Sequence, residues 1–283
     1  MIAIVSGLAA AMVFAASVLA ATTATRRIGP GPTVAWVMLI GFPIALLAAL
    51  SDTTGLSAAS YLWLAIAGLG NVVGLGFEYV ALRIGRVGVV APLTSTEGAV
   101  ASLLSIAGGA PFSWGLMLAL GIVAAGGALT AASAEPAAHE AGQRRHALVS
   151  VGLALLAAIC FGLSLYATGL VSQSLPLGWV LLPARLCGVL LVTVPIAAMG
   201  QLRLERSAAP AVVVAGLAEV VGFLFIGIGT RTDIAITSVL ASQFAAFAAI
   251  GAVFLFGERL STIQKGGILA IAVGTALVAV FAA

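Results

Sequence analysis

The sequence predicts an all-α, polytopic membrane protein of ten transmembrane helices, arranged as two inverted five-helix repeats. Three observations predict it. The chain is 62% hydrophobic and 7% charged, with a mean hydropathy of +1.24. A soluble domain carries roughly 25% charged residues, and so few charges cannot cover a surface that faces water. Apolar runs of about 20 residues, the length that crosses the hydrocarbon core, recur along the whole chain. They are far longer than the roughly 10-residue alternating strands of a membrane barrel. The third observation is a duplication. Residues 216–277 lie without a gap on residues 68–129 at an offset of 148, and fourteen of the 62 pairs are identical. The identities cluster in a GLxxVVGxxF pattern, with Gly68/Gly216, Val72/Val220, Val73/Val221, Gly74/Gly222 and Phe77/Phe225, and continue at Arg83/Arg231 and Gly109/Gly257.

The predicted spans are 2–24, 33–51, 60–82, 88–109 and 113–133, then 148–172, 177–198, 209–229, 235–257 and 262–282. The first run has small residues like a signal peptide but lacks a cationic first region, so it is read as a span. Short polar stretches such as RRIGPGP, SDTTG, RLERSA and GERLS separate the rest. Phe14 and Ser17 match Phe161 and Ser164 at an offset of 147, which makes the repeat five helices long. An odd number of helices sends the second copy into the membrane from the opposite side, the arrangement of many secondary transporters. The expected units are 1–133 and 148–283, joined by a polar linker over 134–147. Both histidines, His139 and His146, fall in that linker among Glu and Arg, as on a solvated loop. Cys160 and Cys187 lie in apolar runs and read as small buried hydrophobes.

Arginine and lysine in short loops set orientation. The odd-numbered loops and their flanks hold Arg26, Arg27, Arg83, Arg86, Arg144, Arg145, Arg203, Arg206, Arg259 and Lys265, and the even loops and termini hold only Arg231. This tally puts the odd loops in the cytoplasm and both termini outside. The net charge of +3 therefore belongs to membrane topology. Nucleic acid is not an expected partner, because no basic cluster is interleaved with aromatics.

Ionisable groups inside spans are the candidate functional residues. A charge at mid-membrane costs about 2.5–3.5 kcal/mol on insertion scales, so it persists where it faces protein or water. Glu97, in Pro92-Leu-Thr-Ser-Thr-Glu-Gly98, reads as a cavity carboxylate for a cationic group or a proton, or as an acid satisfied by nearby hydroxyls. Glu219 sits mid-helix and its repeat mate is Asn71, as expected where two halves line one pathway; an interhelical hydrogen bond is the plain alternative. Arg185 follows Pro183. It could bridge to Glu97 or Glu219, hold a substrate carboxylate bidentately, or snorkel from a helix end. Glu78, near Arg83, reads as a helix-end residue. Gln243 and Ser242, opposite Ser95 and Thr94, are candidate cavity donors, and Ser238 shares a face with Ser242. Pro43, Pro92, Pro183 and Pro195 can kink their helices, and Trp36, Trp63, Trp114 and Trp179 fit an interfacial belt. No phosphate-binding loop with lysine, HExxH, intramembrane His or Ser/His/Asp set occurs. No enzyme activity, cofactor or metal is expected.

The stretch GERLSTIQKGGILAIAVGTALVA (Gly257–Ala279), together with ten helices in two copies, resembles the EamA-type branch of the drug/metabolite transporter superfamily. The resemblance implies a secondary carrier or exporter of small metabolites, often amino acids, with a central cavity between the halves and cytoplasmic termini. The chain departs from the family pattern in three places. Gly109-Ala110-Pro111 replaces the first Gly-Glu-Arg turn. Glu97 and Ala245 stand where a proline is usual. The termini, usually cytoplasmic in the family, fall outside by the arginine and lysine tally. Separately, the first helix lacks the acidic residue that the small multidrug branch uses for coupling. The expected function is transport of a small polar metabolite, an amino acid or derivative, by alternating access in the cell membrane, with protons as a further partner. Glu97, Glu219, Arg185, Asn71 and Gln243 would carry it, in a monomer or homodimer. The rivals are a flippase or facilitator for a lipid-linked or amphipathic substrate, and a membrane-embedded enzyme or scaffold. The missing catalytic sets argue against the enzyme and the inverted duplication against the scaffold.

Overall fold

A computed structural model describes residues 1–50, 58–109, 113–132, 141–172, 175–230, 232 and 240–282. In a bilayer every backbone N–H and C=O must find its partner within the protein, which selects helices here. The helices are α1 (Ile2–Ile28), α2 (Pro30–Leu50), α3 (Ala58–Ile84), α4 (Val87–Thr94), α5 (Glu97–Ala107), α6 (Trp114–Ala132), α7 (Ala141–Ser172), α8 (Leu177–Gly188), α9 (Val194–Ala198), α10 (Ala209–Thr230), α11 (Phe244–Phe256) and α12 (Thr262–Ala282). A π-helical turn, Val189–Thr193, joins α8 to α9. Val87–Ala107 and Gly178–Ala198 each serve as one span. Among the described residues seven spans are long and apolar enough to cross a membrane, and three shorter apolar helices, Trp114–Thr130, Phe244–Phe256 and Thr262–Val278, bring the number to ten.

The duplication is visible in how helices pair. α1 packs along α10 and α3 along α7, so the first helix of each copy lies on the third of the other. α2 lies on α8, α4 on α11 and α6 on α12, each helix on its own counterpart. Individual contacts repeat as well. Ser17 donates to the Ala215 carbonyl (3.1 Å) and its mate Ser164 to the Ala67 carbonyl (2.7 Å). A Cβ on Gly222 would sit 2.5 Å from the Phe14 ring, and one on Gly74 2.6 Å from the Phe161 ring. Gly126 abuts the Gly267 carbonyl and Ile271, while Gly274 abuts Ala119 and Val123, the same contact turned over. Small residues let these backbones close up, and dispersion between them drives helix association in lipid.

Inversion can be read at one face. Arg26 donates to the Gly85 carbonyl, Arg27 to Ser207, Trp36 to Arg203, Arg86 to Arg259, and Ser150 to Ala81. The end of α1 and the start of α7 therefore lie at the same face, together with most of the odd-loop arginines. The chain descends in one copy where it ascends in the other.

Two local features differ from the sequence expectation. α7 begins at Ala141, so Arg144, Arg145 and His146 lie on its first turns rather than in a linker. Hydropathy marks where a helix leaves lipid, and Ala-Gly-Gln-Arg-Arg continues the i→i−4 pattern beyond that point. His139, Arg231 and Ser238 fall outside the described residues. The fourth span is also broken, and so is its counterpart. Thr96 N–H bonds to the Leu93 carbonyl (3.2 Å) and Ala99 N–H to Thr96 (3.0 Å). In the second copy Gln243 N–H bonds to Leu240 (3.3 Å) and Ala246 N–H to Gln243 (3.0 Å). Thr94, Ser95 and Thr96 turn their hydroxyls onto the carbonyls of Ala91, Pro92 and Leu93, occupying acceptors at the break. Pro92 has no N–H to give. At the offset of 148, Leu240 stands at the corresponding place in the second copy, so a proline is not required for the break.

Candidate substrate site

The polar groups converge where α2, α3 and α4 of the first half meet α8 and α10 of the second. Arg185 follows Pro183 in α8 and is 1% exposed, far from any interface to which it could snorkel. Its Nη2 lies 3.6 Å from Glu219 Oε1 in α10. Its Nη1 reaches the Met38 sulfur at 3.5 Å, and the guanidinium stands 6.0 Å from the centre of the Phe223 ring. Gly41 makes room for it, since a Cβ there would come within 3.0 Å of Arg185 Cδ and Nε. A guanidinium keeps its charge even when desolvated, so the pair is held by geometry that removes most alternatives for both partners.

Glu78 is placed differently from the sequence expectation. α3 runs on to Ile84, which sets Glu78 well inside the helix. It is 4% exposed and accepts a hydrogen bond from Thr94 Oγ1 (3.3 Å). Tyr79 beside it is 1% exposed. The Tyr79 hydroxyl has no hydrogen-bond partner, and it lies within electrostatic range of Glu219, Glu78 and Arg185. Glu97 opens α5 directly after the break, half-buried, where the helix N-terminus favours an acidic side chain. Its carboxylate is within electrostatic range of Glu78 and Glu219. Asn71 is buried on α3, seven residues before Glu78 and so on nearly the same face, and its Oδ1 has no partner.

Gln243 sits apart, at the second break. It donates to the Ala272 carbonyl (3.4 Å) and lines a small cavity with Pro92, Ser95, Ser242 and Ile271. Of the five residues singled out from sequence, Arg185 and Glu219 touch, and Glu97 joins their electrostatic neighbourhood. Asn71 lies two turns from Glu78 along α3, and Gln243 faces the breaks. Sequence reasoning passed over Tyr79 and Met38 and set Glu78 at a helix end. The seven-residue spacing from Asn71 was the signal that could have found Glu78. Met38 lies 147 residues before Arg185, the offset that pairs Phe14 with Phe161.

At the arginine face, Gly257 takes a left-handed turn (φ 64°) that delivers Glu258 across the halves. Glu258 Oε1 and Oε2 accept from the N–H groups of Val87 and Gly88, both at 2.9 Å, and so cap α4. Arg26 stands 4.0 Å from the same carboxylate, and Gln264 Nε2 donates to the Gly88 carbonyl at 2.6 Å. Among the described residues no three His, Cys, Asp or Glu side chains are grouped to hold a metal.

Residues 1–132 match the EamA-like transporter family. No curated protein matches the chain. One solved crystal structure, 18% identical, aligns with a TM-score of 0.63 over 99% of this chain and 98% of its own. At that identity the likeness is one of fold.

Proposed function

We propose, from the premise that this chain is a membrane transporter of the EamA type, as residues 1–132 indicate, that it is a secondary carrier. It moves a small polar metabolite, an amino acid or a derivative of one, through the seam between its halves, with export as the working direction. The observation that carries this reading is the Arg185–Glu219 pair (3.6 Å), buried where helices of both halves meet. Charges buried in lipid are rare and mark pathways for substrates and ions. Glu97, Asn71 and Gln243 lie beside the pair or at the helix breaks, and breaks of this kind border substrate sites in inverted-repeat carriers. Alternating exposure of this seam, by rocking one half against the other, is the mechanism that the inverted repeat supports. Glu97 is the proposed coupling carboxylate for protons.

Proteoliposomes containing labelled amino acids and amines test the reading. Wild-type protein is expected to exchange at least one compound above the level of empty liposomes, with a flux that depends on pH. Glu97→Gln should lower the flux and flatten that dependence. Unchanged flux and pH profile in the variant would remove Glu97 from the mechanism, and no flux for any compound would remove the carrier reading.

A further inference from the structure

The free hydrogen-bonding capacity around the ion pair has a sign. We infer that this site, taken as the substrate site proposed above, binds a small organic cation bearing N–H donors, an amine or guanidine, and discriminates against free carboxylates, which narrows the substrates proposed above to amino-acid derivatives that lack the carboxylate. Three carboxylates, Glu78, Glu97 and Glu219, lie within electrostatic range of one another, and one guanidinium, that of Arg185, stands against Glu219. Arg185 is already engaged, with Glu219 on one side and Met38 and Phe223 on the others. A substrate carboxylate would therefore have to displace Glu219 from a desolvated pair and face two further carboxylates. Either change is disfavoured where water is scarce.

The atoms that remain unsatisfied point the same way. Glu78 has the single hydrogen bond from Thr94, and a carboxylate offers about four acceptor positions. Asn71 Oδ1 can only accept, and it is buried without a partner. The Tyr79 hydroxyl, buried and unpartnered in the field of Glu78 and Glu219, can accept from a ligand while donating to a carboxylate. A buried group left in this condition is costly. One ammonium supplies three donors and one guanidinium five, together with the positive charge the site lacks. Glu78 and Tyr79 thus become ligand-contacting residues, beyond the five singled out from sequence.

Thermal unfolding of the purified full-length protein tests this without requiring transport, because a ligand that binds the folded state raises the melting temperature by an amount that grows with the logarithm of its affinity. Four probes separate the chemistries: putrescine, tetramethylammonium (a cation with no N–H), L-alanine and succinate. Putrescine is expected to raise the melting temperature most. Its apparent affinity should fall by about tenfold or more in Glu78→Gln, which removes a charge partner. In Tyr79→Phe, which removes one neutral hydrogen bond, it should fall by about two- to tenfold. Each variant is compared with its own ligand-free melting point. If Glu78→Gln does not fold, Tyr79→Phe decides, because it keeps every charge. A shift from alanine or succinate as large as that from putrescine overturns the inference. So does the absence of a putrescine shift, equal binding of tetramethylammonium and putrescine, or an undiminished shift in the variants. Failure here leaves the carrier reading standing on its flux measurement, and a putrescine shift without flux would do the reverse.

Discussion

The contact between α6 and α12 and the cluster around Arg185 lie on the same pseudo-twofold relation, yet they use it in opposite ways. Along α6 and α12, Gly126 and Gly274 make one contact and its mirror, with backbone closely against backbone. At the cluster the backbone correspondence persists while the side chains diverge. Arg185 meets Met38, its own counterpart at an offset of 147. Glu219 answers to Asn71, Glu78 to Ile226, and Tyr79 to Gly227 at an offset of 148. Duplication fixed how the halves pack, and divergence at a few positions put charge on one member of a matched pair only. Packing that is symmetric can rock in two directions with similar energy, whereas recognition of a polar ligand needs chemically different walls.

Substitution can break this contrast, and the largest effect is expected at the ion pair. Arg185→Met leaves Glu219 buried and unpaired, a loss of about 3–5 kcal/mol for a severed buried pair. The combined variant Arg185→Met with Glu219→Asn gives the second half the residues of the first. It should recover most of the melting temperature in detergent and still fail to exchange substrate. A double variant as unstable as the single one would show that the pair does more than satisfy itself. On the symmetric side, a Cβ at Gly274 would stand 2.7–3.1 Å from Val123 and Ala119. Gly274→Ala should cost about 1–3 kcal/mol by overpacking, and Gly126→Ala a similar amount. Melting temperatures for the two that differed widely would argue against equivalent contacts. Glu258→Ala removes both acceptors from the start of α4 and should cost about 1–2 kcal/mol, within the range for lost caps. Glu258→Gln, which keeps one acceptor, should cost less. The smallest change is expected for Ser17→Ala and Ser164→Ala. Each loses one interhelical bond worth about 0.6 kcal/mol, and the two melting points should agree.

Much of the fold was legible in the sequence because the lipid environment imposes length and polarity directly. The ten spans, their duplication and their inversion follow from hydropathy and from GLxxVVGxxF, and the glycines of that pattern prove to be packing contacts, Gly74 against Phe161 and Gly222 against Phe14. The breaks at Ser95-Thr96 and Ser242-Gln243 were not legible, because the deviation is a change of backbone hydrogen-bond partner, and serines and threonines bond back to their own helix in unbroken helices too. The placement of Glu78 was lost for a different reason. Reading Arg83 as the edge of the membrane made Glu78 an end residue, whereas α3 continues to Ile84 and buries it against Thr94. Arg185 and Glu219 were individually conspicuous as charges in apolar helices, but their pairing depends on helix rotation, which composition does not encode. Glu258 was noticed within a motif and not as a cap, since its partners lie some 170 residues earlier.

The meeting of Arg185 with Met38 carries a constraint on ancestry. An assembly of two identical five-helix chains would bring matching side chains together at that point, either two guanidiniums repelling one another or two thioethers with no charge to offer. A cation opposite a soft apolar neighbour is available only once the two copies are encoded separately and free to mutate apart. Duplication followed by independent divergence is therefore the condition under which one member of this pair could acquire charge without the other.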